Sequence, residues 1–389
     1  MGTTSSSSAD DSCIEDYKFL SRLGYGGFGD VFKCVDKRTK KIVALKVSNR
    51  PWGLVREASM LKKLMDHKLD QCNIVKFYNS FGTDRCLVFE PLDISLKGHL
   101  AETKVVMQLQ DIRTVIEQMA EALDALKKIG VIHSDVNTNN IMLMDRVRPF
   151  RVKLIDFGMA ISTCSAEQSH IDHGYSNRAP EIILRLPFTE AIDMWSLGCV
   201  MGKMVVGSIL FPGRNNYEML QYIVDLLGLP PAHVINVGSE SRDYFTETDS
   251  QHWELIEYWG LRKSDNRRYT FRSLDEVITI NKSEADEMKE CINLLKAMLQ
   301  WDARERIIPS EVLAHPLITR SYLNKSSSLN NCYSQIKCVV PRNEVCLVDV
   351  GNMRMALWPQ FPSRAAPVQT SSGQQQLWQK EFVLQNLFN

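Results

Sequence analysis

The stretch of sequence that most constrains this chain is residues 133–140, which read His-Ser-Asp-Val-Asn-Thr-Asn-Asn. It places an acid, Asp135, five positions before an amide, Asn140, and a second acid, Asp156, follows a strand-like run at residues 152–155. Transfer of a phosphoryl group needs an acid that orients the acceptor hydroxyl and oxygen ligands that hold magnesium. The spacing therefore predicts that Asp135 is catalytic and that Asn140 and Asp156 bind Mg²⁺.

Composition places the chain among ordinary globular proteins. Of 389 residues, 44% are hydrophobic and 24% are charged, and 46 basic side chains balance 46 acidic ones, which argues against bulk electrostatic binding to nucleic acid. Ten cysteines without a CxxC pair favour reduced thiols over a disulfide framework or a zinc site. Without a signal peptide or a membrane-spanning run, we expect a soluble intracellular protein of the nucleus, the cytoplasm or both.

Biased segments mark both ends of the chain. Residues 1–16 are polar and rich in serine and predict a flexible tail, whereas residues 17–318 predict a folded domain. Residues 319–389 predict a partly disordered extension whose aromatic side chains could dock on the domain. Gly2 fits the loose myristoylation pattern, but the acidic residues that follow supply no basic second signal, so lipidation stays open.

The order of the predicted elements indicates an α+β fold with two lobes. Residues 17–90 contain strand-like runs at 19–23, 31–35, 41–47, 74–81 and 86–89, which predict a small antiparallel sheet. They also contain one amphipathic helix, residues 54–67, with Leu54, Ala58, Leu61 and Met65 on its apolar face. Residues 94–318 are mainly helical, and residues 90–93 would form the hinge. The clearest helical patterns lie at residues 111–129 and 191–206.

A glycine-rich segment joins the first two predicted strands. Gly24, Gly26 and Gly29 fit the pattern GxGxxG, in which missing Cβ atoms let backbone amides approach phosphate oxygens. Such triplets also occur in plain hairpins and in dinucleotide-binding folds, but a dinucleotide site needs a helix directly after the glycines, and here strands flank them. The segment therefore predicts a loop that covers the phosphates of a nucleotide.

Lys46 and Glu57 form a second predicted pair. Lys46 ends a Val-Ala-Leu-Lys strand, where a lysine can contact nucleotide phosphates, although most lysines on strands are simply solvated. Glu57 lies on the next helix, four residues before the inward-facing Leu61. An ion pair between the two would direct Lys46 toward the phosphates and couple the position of the helix to activity.

Taken in this order, the motifs resemble those of a eukaryotic protein kinase over residues 17–318. This implies a bilobal protein kinase fold, in which a small N-lobe sheet with one main helix precedes a larger helical C-lobe. Within the superfamily the chain resembles the homeodomain-interacting protein kinases, close to the dual-specificity tyrosine-regulated kinases. The segments that carry this closer resemblance are residues 86–90, 178–188, 191–199, 210–213 and 331–338.

The resemblance implies ATP and Mg²⁺ as cofactors, a monomeric state, and protein substrates that include transcription regulators, without direct contact to nucleic acid. It also implies that Phe89 is the gatekeeper, that Asp193 accepts hydrogen bonds from the catalytic loop, and that Glu181 pairs with Arg306. The residues that it places around adenine are Leu23, Val31, Ala44, Glu90, Leu92 and Met142.

Several positions around the transferred phosphate depart from the family pattern. Ser134 replaces the usual arginine, Asn137 replaces the lysine that steadies the phosphate, and Gly174 replaces the Ser or Thr that bonds this lysine. Ile171 aligns with the regulatory tyrosine, and Tyr175 aligns with an arginine that helps to bind its phosphorylated form. One positive charge next to the γ-phosphate is therefore missing, together with the tyrosine switch.

These residues favour an ATP-dependent protein kinase that phosphorylates Ser or Thr at a reduced rate, since loss of one electrostatic contact costs on the order of a hundredfold, not all activity. The alternative is a pseudokinase-like binding module or scaffold that competes with related kinases for partners. A third hypothesis is a small-molecule kinase of the same fold. The Ala-Pro-Glu segment at residues 179–181 speaks against it, because this segment is the platform for protein substrates.

Overall fold

The computed structural model describes eleven segments of the chain. They are residues 11–26, 29–48, 54–82, 84–104, 106–168, 174–248, 252–257, 271–279, 285–323, 346–350 and 353–357. The chain divides into two units, residues 1–327 and residues 328–389.

Five antiparallel strands form the N-terminal sheet in the order β1-β2-β3-β5-β4. The strands are β1 (Tyr17–Gly26), β2 (Gly29–Asp36), β3 (Ile42–Val47), β4 (Phe77–Phe81) and β5 (Cys86–Phe89). Because side chains alternate along a strand, β3 sends Val43 and Leu45 into a small core and turns Ala44 and Lys46 to the opposite face. This alternation positions Lys46 at the cleft.

The main helix of this lobe, α1 (Val55–Asp66), lies between β3 and β4. Its buried stripe contains Ala58, Leu61 and Leu64, all without exposed surface. Met65 was predicted on this face but is only half-buried. Leu64 and Met65 both lie about one turn after Leu61, and the packing of the core buries Leu64 instead of Met65. The stripe carries Glu57 into the lobe interface with 3% exposure.

The C-terminal lobe is mainly helical, so the predicted bilobal α+β architecture is confirmed. Its helices are α2 (Leu96–Thr103), α3 (Leu109–Lys128), α4 (Pro180–Ile183), α5 (Ala191–Val206), α6 (Asn216–Leu227), α7 (Ala232–Val237), α8 (Ser241–Tyr244), α9 (Ala285–Met298), α10 (Pro309–Ala314) and α11 (Pro316–Thr319). Helix α3 ends where predicted, since Gly130 follows it with φ +65°, a left-handed conformation that glycine adopts without strain.

Short strands frame residues 133–140. They are β6 (Ile94–Ser95), β7 (Val131–Ile132), β8 (Ile141–Leu143), β9 (Val152–Leu154) and β10 (Ile161–Ser162). Residues 133–140 connect β7 to β8, and β9 pairs with β8 before the chain reaches Asp156. The apolar side chains of β8 and β9 are mostly buried, so two packed strands hold both ends of the polar loop.

The structure differs from the sequence-based expectations at several element boundaries. Asp11–Asp16, predicted as part of the flexible tail, form a 3₁₀-helix whose Ile14 packs against the small N-lobe core. The predicted strand from Ile74 begins only at Phe77, since Ile74 bridges to Leu154 instead.

Two hairpins were not predicted. They pair β11 (Phe245–Glu247) with β12 (Trp253–Leu255), and β13 (Cys346–Val350) with β14 (Met353–Leu357).

Gly2 and residues 331–338 lie outside the described residues, as do the aromatic residues expected to dock, which are Trp358, Phe361, Trp378 and Phe382. Among the residues that the structure describes, no helix is long and apolar enough to cross a membrane.

Candidate active site

A cavity of about 600 Å³ lies between the two lobes. Most of the residues that the sequence assigns to the nucleotide line it. They are Leu23, Gly24, Gly29, Val31, Ala44, Lys46, Glu57, Glu90, Leu92, Met142 and Asp156. Val75, Ile94 and Ile155 also line it and were missed, because burial near a strand end does not distinguish a core residue from a cleft residue. Asn139 lines it as well, from the loop of residues 133–140.

Gly29 is required by the sheet itself. Its φ is +147°, and a Cβ there would lie 2.1 Å from the carbonyl oxygen of Val47 on β3. Gly26 pairs with Gly29 at the end of β1 and β2. Part of the glycine pattern therefore allows two backbones to pack closely, in addition to the predicted contact with phosphates.

Lys46 connects three elements at the back of the cavity. Its Nζ donates to Glu57 Oε2 at 2.7 Å and to Asp156 Oδ1 at 3.0 Å. Burial lowers the pKa of Lys46, but the carboxylates of Asp156 and Glu57 outweigh burial and raise it above its ordinary value. Lys46 is therefore charged and fixed in place, as the sequence predicts.

The two carboxylates of this cluster differ in their environment. Burial raises the pKa of Glu57 to about 7 against the attraction of Lys46. Burial also raises the pKa of Asp156, but the charge of Lys46 outweighs burial and holds this pKa below its ordinary value. Asp156 is thus the more strongly ionised of the two, and its backbone is left-handed with φ +62°.

Asp135 lies in a network of amide donors. The side-chain nitrogen of Asn137 donates to Asp135 Oδ1 at 2.8 Å, and that of Asn140 donates to Oδ2 at 2.7 Å. Burial raises the pKa of Asp135 against these two donors. Both carboxylate oxygens therefore accept a hydrogen bond. The neutral amide of Asn137 stands where the family pattern has a charged lysine.

Asp193 on α5 holds the start of the loop formed by residues 133–140. One of its oxygens accepts from the backbone N–H of His133 at 2.7 Å and the other from that of Ser134 at 2.9 Å. Burial raises the pKa of Asp193 to about 7, while these donors favour the ionised form. Ser134 itself is buried in a left-handed conformation with φ +67°, and its hydroxyl has no hydrogen-bond partner among the described residues.

His133 is held as a neutral ring. Its Nε2 lies 3.0 Å from the carbonyl oxygen of Ile155, and its Nδ1 accepts from the N–H of Asp135 at 3.2 Å. Only the tautomer with the proton on Nε2 satisfies both partners. Burial lowers the pKa of His133 from an ordinary 6.5 to about 4.

This arrangement makes stability depend on pH in a definite sense. As pH falls through 6.5 the unfolded chain binds a proton at residue 133 while the folded chain does not, so the folded state loses stability until pH reaches about 4. Between pH 7.5 and 5 this difference in proton binding lowers the free energy of unfolding by about 2 kcal/mol.

In thermal unfolding, we expect His133→Asn to have a smaller decrease in melting temperature over this range than wild type, although its melting temperature is lower at every pH. Equal decreases would show that His133 is protonated in the fold.

The family model of the protein kinase domain matches residues 17–318, which include every site residue described above. The chain belongs to the protein kinase family. Homeodomain-interacting protein kinase 1 of Mus musculus is 36% identical over 359 residues, 84% of this chain and 29% of the relative. Homeodomain-interacting protein kinase 2 of Mus musculus is 37% identical over 356 residues, 84% of this chain and 30% of the relative.

Homeodomain-interacting protein kinase 4 of Homo sapiens is 32% identical over 356 residues, 82% of this chain and 57% of the relative. The expected resemblance to this group of protein kinases is confirmed. The chain spans between 29% and 57% of the length of these relatives.

The predicted hinge of this protein kinase domain contains a contact that the sequence did not predict. The carboxylate of Glu90 accepts from the Nζ of Lys153 at 2.5 Å and from the backbone N–H of Lys76 at 2.7 Å. The side chain therefore ties the hinge to β9, and Glu90 borders the nucleotide cavity beside Phe89 and Leu92.

The activation segment ends in a buried ion pair. Arg306 donates to the two carboxylate oxygens of Glu181 at 2.6 Å and 3.0 Å, as predicted, and both side chains are at most 2% exposed. Gly174 is exposed, and apart from its chain neighbours no heavy atom of the described residues lies within 4 Å of where a Cβ would lie. Tyr175 stacks against Arg178, whereas Ile171 lies outside the described residues.

Proposed function

We propose that the chain is an ATP-dependent protein kinase that transfers the γ-phosphate to Ser or Thr of protein substrates at an attenuated rate. The observation that carries this proposal is the ion-paired Lys46–Glu57–Asp156 cluster in one cleft with Asp135 and Asn140 on the adjoining loop. Lys46 and the glycine segment hold the phosphates, and Asp135 orients the acceptor hydroxyl.

Two side-chain oxygen atoms in the cleft are suitable ligands for Mg²⁺. Asn140 uses its side-chain nitrogen for Asp135, and Asp156 uses Oδ1 for Lys46. In the described part of the chain no donor reaches Asn140 Oδ1 or Asp156 Oδ2, and amide and carboxylate oxygens are the ligands that Mg²⁺ prefers. Asn140 and Asp156 would hold the ion, which when bound offsets the charge of the phosphates.

Attenuation follows from Asn137, because an amide donates a hydrogen bond but does not neutralise charge. We expect Asn137→Lys to raise the rate of phosphate transfer on the order of a hundredfold, since it restores one charge beside the γ-phosphate. Initial rates with labelled ATP check this. Asn236→Lys is the matched control, because it adds the same charge at an exposed position of α7 that lines neither cavity. Equal rates for Asn137→Lys and wild type would remove Asn137 as the cause of attenuation.

The residue specificity is tested by hydrolysing the phosphorylated acceptor and separating its phosphoamino acids. Phosphoserine or phosphothreonine is expected. Phosphotyrosine as the main product would overturn the Ser/Thr assignment. We further propose protein substrates that include transcription regulators, and an intracellular location, because the relatives are homeodomain-interacting protein kinases.

One observation favours the second candidate, a scaffold that binds partners of related kinases. Both oxygens of Asp135 already accept amide hydrogens, and Gly174 presents no side chain to the loop. The two functions separate in cells with Lys46→Ala. A kinase loses its cellular effect in this variant, whereas a scaffold keeps it.

A further inference from the structure

A second cavity, of about 190 Å³, lies beside the catalytic loop. The residues of its wall that matter here are Lys97, Asp135, Asn137, Thr138, Gly174 and Lys203. We call it the basic cavity, because two lysines line it. Ligand pockets for whole small molecules measure roughly 300–1,000 Å³, so this cavity has room for one side chain rather than a complete ligand.

The two lysines come from different helices, and both residues form a hydrogen bond with Thr138. Lys203 lies on α5, is half-buried, and donates to the hydroxyl of Thr138 at 3.2 Å. Lys97 lies on α2 and is exposed, and its backbone N–H donates to the carbonyl of Thr138 at 2.8 Å. Residue 138 of the catalytic loop is therefore held by both lysine positions.

The positive charge of this cavity is not balanced locally. In the segments that the structure describes, no carboxylate oxygen lies within 4.0 Å of the Nζ of Lys97 or Lys203. Burial lowers the pKa of Lys203, and the charge of Lys97 lowers it further. Asp135 is the one acid among the lining residues that the structure describes, and amides occupy both of its oxygens. An anion between the lysines would replace repulsion with attraction.

The position of the cavity identifies the source of that anion. Asp135 lines it, and in the proposed function Asp135 orients the acceptor hydroxyl, so an occupant of the cavity lies next to the acceptor residue. Gly174 is exposed and carries no side chain that could close this wall. A protein substrate in extended conformation places a side chain about every 3.3 Å, which brings its near neighbours within reach of the cavity.

We propose that the basic cavity binds an acidic side chain of the substrate, a carboxylate or a phosphorylated residue, within a few positions of the Ser or Thr that is phosphorylated. The proposal rests on the proposed function and specifies its substrate class. Lys203 and Lys97 are the residues that select it.

The test uses a parent peptide with one Ser and neutral flanks. Glu, phosphoserine, Ala or Arg is placed in turn at each of the three positions on either side. The dissociation constant is measured by fluorescence anisotropy with the full chain, and KM and kcat are measured by phosphate transfer. At one position we expect Glu or phosphoserine to lower the dissociation constant and KM roughly five- to tenfold relative to Ala, and Arg to raise them.

Lys203→Glu should cancel or reverse this preference, whereas the matched control Lys289→Glu, exposed on α9, should retain it. Lys203→Met and Lys97→Ala give the same comparison without a charge reversal, should Lys203→Glu unfold at a lower temperature. A stronger effect of phosphoserine than of Glu identifies a previously phosphorylated substrate, and equal effects identify an acidic one.

Equal affinities at every position in wild type would overturn the proposal, as would a preference that persists in Lys203→Glu and Lys203→Met. Because binding is measured without transfer, a chain that prefers acidic peptides but transfers no phosphate contradicts the proposed function and leaves the basic cavity supported.

Discussion

Replacement of Asp135 by asparagine is expected to lower the rate of phosphate transfer by at least about a hundredfold while the domain stays folded. A positioned acid or base contributes typically 10²–10⁴-fold to proton transfer in the transition state, and an amide has no comparable basicity. The geometry adds a second loss. Asn137 and Asn140 each donate to one oxygen of Asp135, so an amide group at position 135 opposes one of these donors with a donor of its own.

The rate is measured with labelled ATP, Mg²⁺ and a protein acceptor, and the melting temperature of each variant is recorded beside it. Asp286→Asn is the matched control, because Asp286 is an exposed acid at the start of α9 in the C-terminal lobe. If Asp135→Asn transfers phosphate as fast as Asp286→Asn, another group orients the acceptor.

Removal of Glu181 is expected to have the largest effect on stability. Glu181→Ala leaves the guanidinium of Arg306 buried without its carboxylate, and breaking a buried pair in this way costs about 3–5 kcal/mol. Arg306 retains bonds to the carbonyl oxygens of Ala191 and Gln300, at 2.7 Å and 2.9 Å, which offset part of the loss. We therefore expect a value near the lower end of this range.

Urea unfolding of the purified chain measures the change in the free energy of unfolding. Glu305→Ala serves as the control, since Glu305 is exposed next to Arg306 and its removal should change stability by no more than about 0.5 kcal/mol. A loss below about 1 kcal/mol for Glu181→Ala would mean that the pair is not a principal support of the activation segment.

The sequence alone was sufficient for those contacts that a family motif fixes at a set spacing. Lys46 with Glu57, Asp193 with the loop, and Glu181 with Arg306 were all predicted and are all found. Each joins residues whose order in the chain and chemical type are diagnostic, so their pairing could be inferred without a three-dimensional model.

Other contacts depend on packing between distant segments and carry no local signal. Lys153 was interpreted only as part of a strand, yet β9 brings it to Glu90 at the hinge. Lys203 follows the periodicity of a buried helix, and only the placement of α5 beneath the loop brings it to Thr138. The periodicity of α1 likewise did not distinguish Leu64 from Met65, because the choice between neighbouring helical positions depends on the shape of the opposing core.

The most direct measurement is the initial rate at which the purified wild-type chain transfers the γ-phosphate of ATP to protein, with Mg²⁺ and with a chelator, alongside the binding of ATP. We expect slow incorporation into Ser or Thr that requires Mg²⁺ and is lost in Asp135→Asn. Absence of incorporation by both wild type and Asn137→Lys, with ATP still bound, would contradict an active kinase and support the scaffold.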